Sequence, residues 1–202
     1  PRLIFSSSIY ARLDENGQFS PYGARKRRQE QILLGAMPAI GLRLPPVYGE
    51  GCGGSFAMLA RATKRGLLLP LGCAVAPRSF LSVDNLCDLI ITLLTASDAA
   101  WTKGAPAVYE PEDAVRISTR DLAIALAKHH GRKPRLVAVR RDVIAAAATL
   151  LGRQELVRGA FDTLAATGNA ELARIFGWRP AAGLPETLAT TQPSPAGVSA
   201  AS

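Results

Sequence analysis

Residues 3–44 read LIFSSSIYARLDENGQFSPYGARKRRQEQILLGAMPAIGLRL, and this stretch decides the fold. Residues 3–5 are a short apolar run that ends in three serines, a pattern typical of a buried parallel strand that gives way to a polar loop. Residues 39–44 predict a second buried strand. Pro45 and Pro46 end it, because proline cannot donate a hydrogen bond to a sheet.

Between these two strands, the sequence predicts a helix over residues 21–34. Ser20 is a helix N-cap residue, and Pro21 follows it at the first helical position, where the missing N–H would be unpaired anyway. Gly35 and Pro38 end the helix. Strand, helix and strand in this order form a βαβ unit with parallel strands, whose crossover is almost always right-handed. The predicted fold class is therefore α/β.

The remainder of the chain alternates helices with short extended segments. Apolar residues at helical spacing and N-cap signals predict three helices, over residues 56–65, 84–96 and 118–130. Short extended segments are predicted at residues 67–69, 78–81, 108–109 and 136–139. The remainder is predicted to be helical to about residue 176.

The composition is that of a globular protein with an excess of positive charge. Of the 202 residues, 48% are hydrophobic and 20% are charged, which excludes a disordered chain. The formal net charge of +8 favours anionic partners such as phosphates. The densest basic cluster, residues 25–28, is too short for a nucleic-acid surface, so we expect no nucleic acid among the partners.

The cysteines and the apolar runs indicate the compartment. Cys52, Cys73 and Cys87 form no C-x-x-C pair and lie at no metal-ligand spacing with histidine, so we predict no metal site. We expect all three to be buried small apolar groups in a reducing environment. Because no apolar run reaches the roughly 18 residues of a membrane span, we predict a cytoplasmic protein without membrane contact.

Tyr22 and Lys26 carry the first chemical signal. They lie four residues apart on the predicted helix, so both side chains project from one face, one turn apart. An ammonium beside a phenol favours the phenolate, which makes Tyr22 a candidate general base. Ser8, at the end of the adjacent strand, could hydrogen-bond the substrate oxygen, and ends of parallel strands are where such folds bind ligands.

Four motifs follow one another in the order and rough spacing of a known family. They are FSSS (residues 5–8), SPYGARK (20–26), RLPPVYG (43–49) and RSFLSVDNL (78–86). FGWRP, at residues 176–180, also matches the family's C-terminal signature. Over about residues 3–188 the chain resembles the NAD-dependent epimerase/dehydratase family, the extended short-chain dehydrogenases that include UDP-glucose 4-epimerase.

The resemblance implies a domain organisation. Residues 1–49 would be the C-terminal portion of a Rossmann-like catalytic domain with a parallel sheet. Residues 50–190 would be mostly a small α/β substrate-binding domain, with returning Rossmann elements at about residues 78–110. Residues 191–202 have no apolar periodicity and are predicted to be a disordered tail.

The resemblance also assigns the catalytic and cofactor-binding residues. Ser8 matches the catalytic serine, which also binds substrate. Tyr22 matches the acid/base, and Lys26 matches the residue that holds the nicotinamide ribose. The backbone near Pro45 would lie by the nicotinamide of NAD, with NADP as the alternative cofactor.

Three further residues match substrate-binding positions of the family. Arg78 would reach the substrate's diphosphate, which a planar guanidinium binds well. Ser55 and Phe56 would lie by the sugar. Ser55, like Pro46, replaces an asparagine that many 4-epimerases use on the substrate, so the identity of the sugar stays open.

Ile9 separates the reactions of the family. Its dehydratases and decarboxylases carry an acidic residue directly after the catalytic hydroxyl, whereas here Ile9 follows Ser8. We therefore predict an NAD-dependent sugar-nucleotide epimerase similar to UDP-hexose 4-epimerases, of a kind used in polysaccharide biosynthesis. The alternatives are an NAD(P)H-dependent 4-ketoreductase of nucleotide deoxysugars and a catalytically inactive remnant.

One family motif is absent from the 202 residues. The glycine-rich G-x-x-G-x-x-G turn precedes the catalytic serine in the family, whereas the glycine-rich residues 49–54 follow a later strand. We predict that the chain is a truncated form lacking the cofactor-binding half, and we do not expect it to bind NAD alone. The expected partner is a nucleotide-sugar substrate, and the resemblance implies a homodimer formed through the helix of Tyr22 and its neighbour.

Overall fold

The computed structural model describes residues 2–12, 17, 20–150, 160–161 and 165–181. The strands are β1 (Leu3–Ser8), β2 (Ala39–Leu44), β3 (Val47–Tyr48), β4 (Pro77–Arg78), β5 (Leu81–Ser82), β6 (Ala107–Tyr109) and β7 (Ile117–Ser118). The helices are α1 (Pro21–Ala36), α2 (Gly54–Lys64), α3 (Val83–Thr95), α4 (Asp98–Gly104), α5 (Thr119–His129), α6 (Arg141–Leu150) and α7 (Ala170–Phe176). A 3-10 turn, Ile9–Ala11, follows β1 directly.

Three parallel strands form the central sheet in the order β1, β2, β6. Leu3 lies opposite Ala39 and Ser8 lies opposite Leu44, so β1 and β2 end level with each other. The first four residues of β2 are all buried, as expected for the middle strand of a covered sheet. These pairings confirm the parallel α/β fold.

Helix α1 connects β1 to β2 and begins where the sequence predicts. The Ser20 hydroxyl accepts a hydrogen bond from the backbone N–H of Gly23 at 3.0 Å, and Pro21 is the first helical residue. The helix ends two residues later than predicted, at Ala36. A Cβ atom at Gly23 would lie 2.0 Å from the carbonyl oxygen of Tyr10, so only glycine lets α1 approach the 3-10 turn this closely.

Two apolar clusters hold the structure together. The larger one joins the sheet to α3, α4 and α7; its fully buried members include Ile40, Leu81, Leu89, Leu93 and Leu172. The smaller one joins β3 to α2 and α5, and is built from Tyr48, Phe80, Leu122 and Leu126. The candidate site lies beside the smaller cluster, since its cavity wall includes Phe80 and Leu122.

Two predicted strands are wrong. Residues 67–69 and 136–139 form only one isolated parallel bridge, between Leu69 and Leu136. Leu69 donates to the carbonyl of Arg135 at 2.9 Å and accepts from the N–H of Val137 at 2.9 Å. The next backbone hydrogen bond runs from the N–H of Gly72 to the carbonyl of Val137 at 3.0 Å. Its donor lies one residue beyond the position that would continue the ladder, so no second bridge forms.

The helical predictions need two corrections. Helix α4 was not predicted, although Ser97 caps it by accepting from the N–H of Ala100 at 3.2 Å. The prediction that the chain is helical up to about residue 176 is wrong at residues 165–168, which are not helical and include Gly168 with a φ of +94°. Backbone N–H groups of this segment bind buried side chains instead, as when Ala166 donates to the Ser79 hydroxyl at 2.8 Å.

Three other expectations concern exposure and the chain end. Cys73 and Cys87 are exposed and Cys52 is half-buried, so the prediction of three buried thiols is wrong. The predicted tail, residues 191–202, lies outside the described residues. Within the described ranges, no helix is both long and apolar enough to cross a bilayer.

Candidate active site

Ser8 lies at the carboxyl end of β1 and is 7% exposed. Its hydroxyl oxygen accepts a hydrogen bond from the backbone N–H of Tyr10 at 3.4 Å and so caps the 3-10 turn. Ile9 is fully buried between them, 1% exposed. The chain therefore turns sharply after Ser8, which leaves this hydroxyl at the rim of the sheet.

Tyr22 and Lys26 occupy consecutive turns of α1 beside the end of β1. The Lys26 ammonium donates to the backbone carbonyl of Ser6 at 3.1 Å and to the amide oxygen of Gln29 at 3.4 Å. Tyr22 is 40% exposed. The contact with Ser6 fixes the ammonium close to the strand that carries Ser8.

A first cavity, of about 330 Å³, brings five of the predicted site residues together. Its lining includes Ser8, Tyr22, Lys26, Pro45 and Ser55. These residues come from β1, α1, the loop after β2 and the first turn of α2. The cavity thus lies at the carboxyl ends of two adjacent parallel strands, where α/β sheets bind their ligands.

A second cavity, of about 550 Å³, contains the remaining two predicted residues, Phe56 and Arg78. Neither of them lines the first cavity. The two cavities share four lining residues, Tyr10, Tyr22, Pro46 and Ser55, and we call this shared boundary the junction. A ligand long enough to cross the junction would contact all seven predicted residues.

Arg78 is the most unusual side chain of the second cavity. It is 1% exposed, and its Nη1 donates to the hydroxyl of Thr119 over a long 3.5 Å. Its Nε and Nη2 have no hydrogen-bond partner in the described part of the chain. Thr119 is the first residue of α5, where the helix dipole is positive and adds no compensation for a cation. A buried guanidinium with free donors at a helix N-terminus favours an anionic oxygen ligand.

Most of the second cavity away from Arg78 is apolar. Side chains of α2, α5 and the segment after α2 form this wall, including Met58, Leu59, Leu69, Leu71 and Leu122. Such a lining resembles a small-molecule site, in which a few polar groups orient a ligand held by apolar contacts.

A network of ion pairs and hydrogen bonds centred on Glu30 lies near the carboxyl ends of β1 and β2. Glu30 of α1 is fully buried and accepts from the Ser7 hydroxyl at 2.6 Å and from Nε and Nη2 of Arg43 at 2.8 Å and 2.7 Å. Arg27 adds a bond at 3.0 Å. Burial by itself raises the pKa of Glu30, but the hydrogen bonds from Arg43, Ser7 and Arg27 together hold that pKa below its ordinary value.

The same network reaches the segment that follows β6. Arg43 also pairs with Glu110 at 3.3 Å, and Arg12 pairs with Glu110 at 3.3 Å. The backbone N–H of Thr167 donates to Glu110 at 3.0 Å. The hydrogen bonds to Glu30 raise the pKa of Arg43, so this guanidinium stays charged. The network thereby fixes the ends of β1 and β2, which carry Ser8 and Pro45.

The sequence model of the NAD dependent epimerase/dehydratase family matches residues 1–108, more than half of the chain. The chain belongs to this family. The family consists of enzymes that use an NAD-type cofactor, which agrees with the order of motifs around Ser8 and Tyr22.

Known members of the family are similar to this chain in sequence and fold. A UDP-glucose 4-epimerase of Vibrio cholerae is 32% identical over 149 residues, which cover 63% of this chain and 44% of the relative. A Thermotoga maritima UDP-glucose 4-epimerase, solved with UDP-glucose, has a TM-score of 0.65 at 20% identity. A Thermus thermophilus UDP-glucose 4-epimerase, solved with NAD, has a TM-score of 0.63 at 20% identity.

The two solved structures show that the fold is shared across nearly the whole chain. The matches cover 93% of this chain but only 60% and 61% of the two solved chains. The chain therefore spans less than two thirds of these members of the family, and less than half of the curated relative.

The fit to a nicotinamide cofactor is partial. Tyr22, Lys26 and Pro45 line one cavity and suit the nicotinamide end. The glycine-rich residues 49–54 follow β3 and lead into α2. A Cβ atom at Gly49 would lie 2.5 Å from Cγ1 of Val83, so this glycine is required for packing against α3. None of the glycines in residues 49–54 lines either cavity, so this turn is not placed to bind the pyrophosphate of a cofactor there.

Among the polar residues that line the cavities, Tyr10 and Thr119 were not considered as site residues from the sequence. Thr119 could have been found, since Ser118 was predicted as a helix N-cap and the next residue begins the helix. For Tyr10 the sequence holds only its position two residues after Ser8. No group of three or more metal-ligating side chains is found within the described ranges.

Proposed function

We propose that this chain carries the acid/base and substrate-binding residues of an NAD-dependent UDP-hexose 4-epimerase. The observation that supports this most is the buried Arg78, which has two donors without a described partner and lines a cavity joined to that of Ser8, Tyr22 and Lys26. One end of this site suits a diphosphate and the other end suits proton transfer. A nucleoside diphosphate hexose has both a diphosphate and a hydroxyl group that can give up a proton.

Three residues would handle the proton at the hexose 4-hydroxyl. Tyr22, as phenolate, would accept this proton and later return it. Ser8 would hydrogen-bond the same oxygen and hold it in position for transfer. Lys26, whose ammonium is anchored on the carbonyl of Ser6, would place a positive charge beside this proton transfer.

The nicotinamide end of NAD would be held by Tyr22, Lys26 and Pro45. When bound, NAD supplies a reversible hydride acceptor, so epimerisation consumes no external reductant. Ile9, which is apolar and buried, offers no acid for removing water from the sugar. This favours epimerisation or keto reduction over dehydration.

Substrate binding would divide between the two cavities. Arg78 would bind the diphosphate, with the N-terminus of α5 beside it. Ser55 and Phe56 would contact the hexose from the first turn of α2. The apolar wall formed by α2 and α5 would enclose the nucleoside.

We propose the same domain division as the sequence implies, with residues 1–49 in the catalytic domain and residues 50–190 mostly in the substrate-binding domain. The separate apolar cluster between α2 and α5 supports a second folding unit. A homodimer formed through α1 and a cytoplasmic location stay predictions. Ile32, which is 61% exposed on α1, is available for such a contact.

Calorimetric titration with UDP and UDP-glucose tests the proposed substrate site. We expect both to bind the chain, and we expect Arg78→Gln to weaken both by about tenfold or more, since hydrogen bonds to charged groups contribute about 1.5–3 kcal/mol. Arg28→Gln, which removes an exposed arginine from α1, is the matched control and should leave both affinities unchanged. Absence of UDP binding would overturn the proposal.

Turnover then separates the epimerase from its alternatives. The purified chain is incubated with UDP-galactose and NAD, and UDP-glucose is measured with a coupled dehydrogenase. Formation of UDP-glucose without added NADPH supports the epimerase. Oxidation of NADPH with a 4-keto sugar nucleotide would favour the ketoreductase. UDP binding without either reaction, at cofactor concentrations high enough to saturate even a weak site, would favour the inactive remnant.

A further inference from the structure

Tyr10 lies at the junction between the two cavities. It lines the cavity of Ser8 and Lys26 and also the cavity of Arg78, and it shares this position with Tyr22, Pro46 and Ser55. Tyr22 and Ser55 already have proposed roles, and Pro46 has no polar group on its side chain. Tyr10 is therefore the remaining polar side chain of the junction.

The backbone of Tyr10 is fixed from two sides. Its N–H donates to the Ser8 hydroxyl oxygen at 3.4 Å. Its carbonyl oxygen lies against Gly23, where a Cβ atom would approach to 2.0 Å. Strand β1 and helix α1 thus hold the main chain in place, which positions the Tyr10 side chain.

The Tyr10 hydroxyl, in contrast, is free to bind a ligand. The side chain is half-buried, and no described residue hydrogen-bonds its hydroxyl. A phenol can both donate and accept, so it can pair with a sugar hydroxyl in either orientation. A half-buried phenol on a fixed backbone, with its hydroxyl free, is suited to orient a ligand.

We infer that Tyr10 is a hexose-binding residue, an inference that rests on the proposed function. With the diphosphate on Arg78 and the reacting carbon beside Ser8 and Tyr22, the hexose ring must occupy the junction. The Tyr10 hydroxyl hydrogen-bonds a hydroxyl group of that ring. The contact distinguishes a nucleotide sugar from the nucleotide alone.

Calorimetric titration of Tyr10→Phe with UDP-glucose and with UDP tests this inference. We expect the Kd for UDP-glucose to rise about fivefold and the Kd for UDP to stay unchanged, because one neutral hydrogen bond is lost at the sugar only. Tyr109→Phe is the matched control. That phenol is buried, donates to the carbonyl of Gly104 at 2.8 Å and lines neither cavity, so both Kd values should stay unchanged.

The remaining outcomes separate the two hypotheses. If Tyr10→Phe weakens both ligands equally, or neither, the inference about Tyr10 is overturned while the UDP site stands. Equal affinity of the unsubstituted chain for UDP and UDP-glucose would also overturn it. If the unsubstituted chain binds neither ligand, the proposed function and the inference both fail. Because UDP binding reports an intact site, its retention in Tyr10→Phe shows that the variant is folded.

Discussion

At Arg78, the buried donors that would bind a ligand also lower the stability of the ligand-free protein. Its guanidinium is 1% exposed and two of its donors have no described partner, a state that costs free energy in the ligand-free protein. We predict that Arg78→Met raises the free energy of unfolding by about 1–3 kcal/mol, the usual cost of an unsatisfied buried polar group. Urea denaturation without ligand measures this change.

Arg28→Met provides the control, since Arg28 is exposed on α1 and its replacement should change the stability little. The Arg78→Met variant should also have lost its affinity for UDP. A variant that is both less stable and unable to bind UDP would contradict this interpretation. Arg78 would then act as a structural residue.

Glu30 is the central acceptor of the buried ion network. We predict that Glu30→Gln lowers the free energy of unfolding at pH 7 by about 3 kcal/mol, because it leaves Arg43 without its main counter-charge. Chemical denaturation measures the change. Glu171→Gln is the matched control, since Glu171 forms an i,i+3 ion pair with Arg174 that is fully exposed and should contribute little.

The lowered pKa of Glu30 also sets a pH dependence. Burial raises this pKa, but the hydrogen bonds from Arg43, Ser7 and Arg27 outweigh burial, so the folded state holds the carboxylate more strongly than the unfolded state does. The stabilisation is present above the unfolded pKa, near 4.5, and is lost as the pH falls through the lower folded value. Unfolding curves at several pH values measure the difference in free energy of unfolding between wild type and Glu30→Gln. This difference should become smaller as the pH falls below about 4.5, and a difference that does not change with pH would contradict the prediction.

Helix α1 contains two glycines, Gly23 and Gly35, and substitution of each by alanine should have opposite effects on the stability of the protein. At Gly23 a Cβ atom would lie 2.0 Å from the Tyr10 carbonyl oxygen, whereas at Gly35 nothing lies within 4 Å. We predict that Gly35→Ala stabilises the protein by about 0.5–1 kcal/mol through helix propensity. Gly23→Ala should destabilise it by about 1–3 kcal/mol through overpacking and should weaken UDP-glucose binding. Thermal unfolding and calorimetry measure both; equal effects of the two substitutions would contradict the role of the close approach.

The elements that could be predicted from the sequence are those with local signals at both ends. Helix α1 has an N-cap serine, a proline at its first position and an apolar strand on either side, and it was predicted within two residues. The bridge between Leu69 and Leu136 joins residues far apart in sequence. The two short apolar runs that contain them could not show that only this one pair of residues would form a bridge. Residues 165–168 leave the helical state because buried side chains such as Glu110 bind their N–H groups.

The same distinction applies to the candidate site. Tyr22 and Lys26 could be paired from their spacing, because four residues are one helical turn. The burial of Arg78 accompanies the pairing of β4 with β7 and the contact with Thr119 of α5, 41 residues away in sequence, which no local pattern contains. Of the three partners of Glu30, only Arg27 lies on the same helix; Ser7 and Arg43 come from two strands, so the ion network could not be seen before the fold was known.

Across the whole molecule, the nicotinamide end of the candidate cofactor site is better supported than the pyrophosphate end. Tyr22, Lys26 and Pro45 share a cavity, but no glycine-rich turn suited to a pyrophosphate is found in the described ranges. Such turns normally place the pyrophosphate at a helix N-terminus, which supplies much of the affinity. We predict that the 202-residue chain binds NAD at least about 100-fold more weakly than UDP. Calorimetry with each ligand, and NADH fluorescence in the presence of UDP, measures this difference. If NADH fluorescence rises and saturates at a concentration similar to that needed for UDP, residues of this chain must bind the pyrophosphate, and the predicted dependence on a separate cofactor-binding half is wrong.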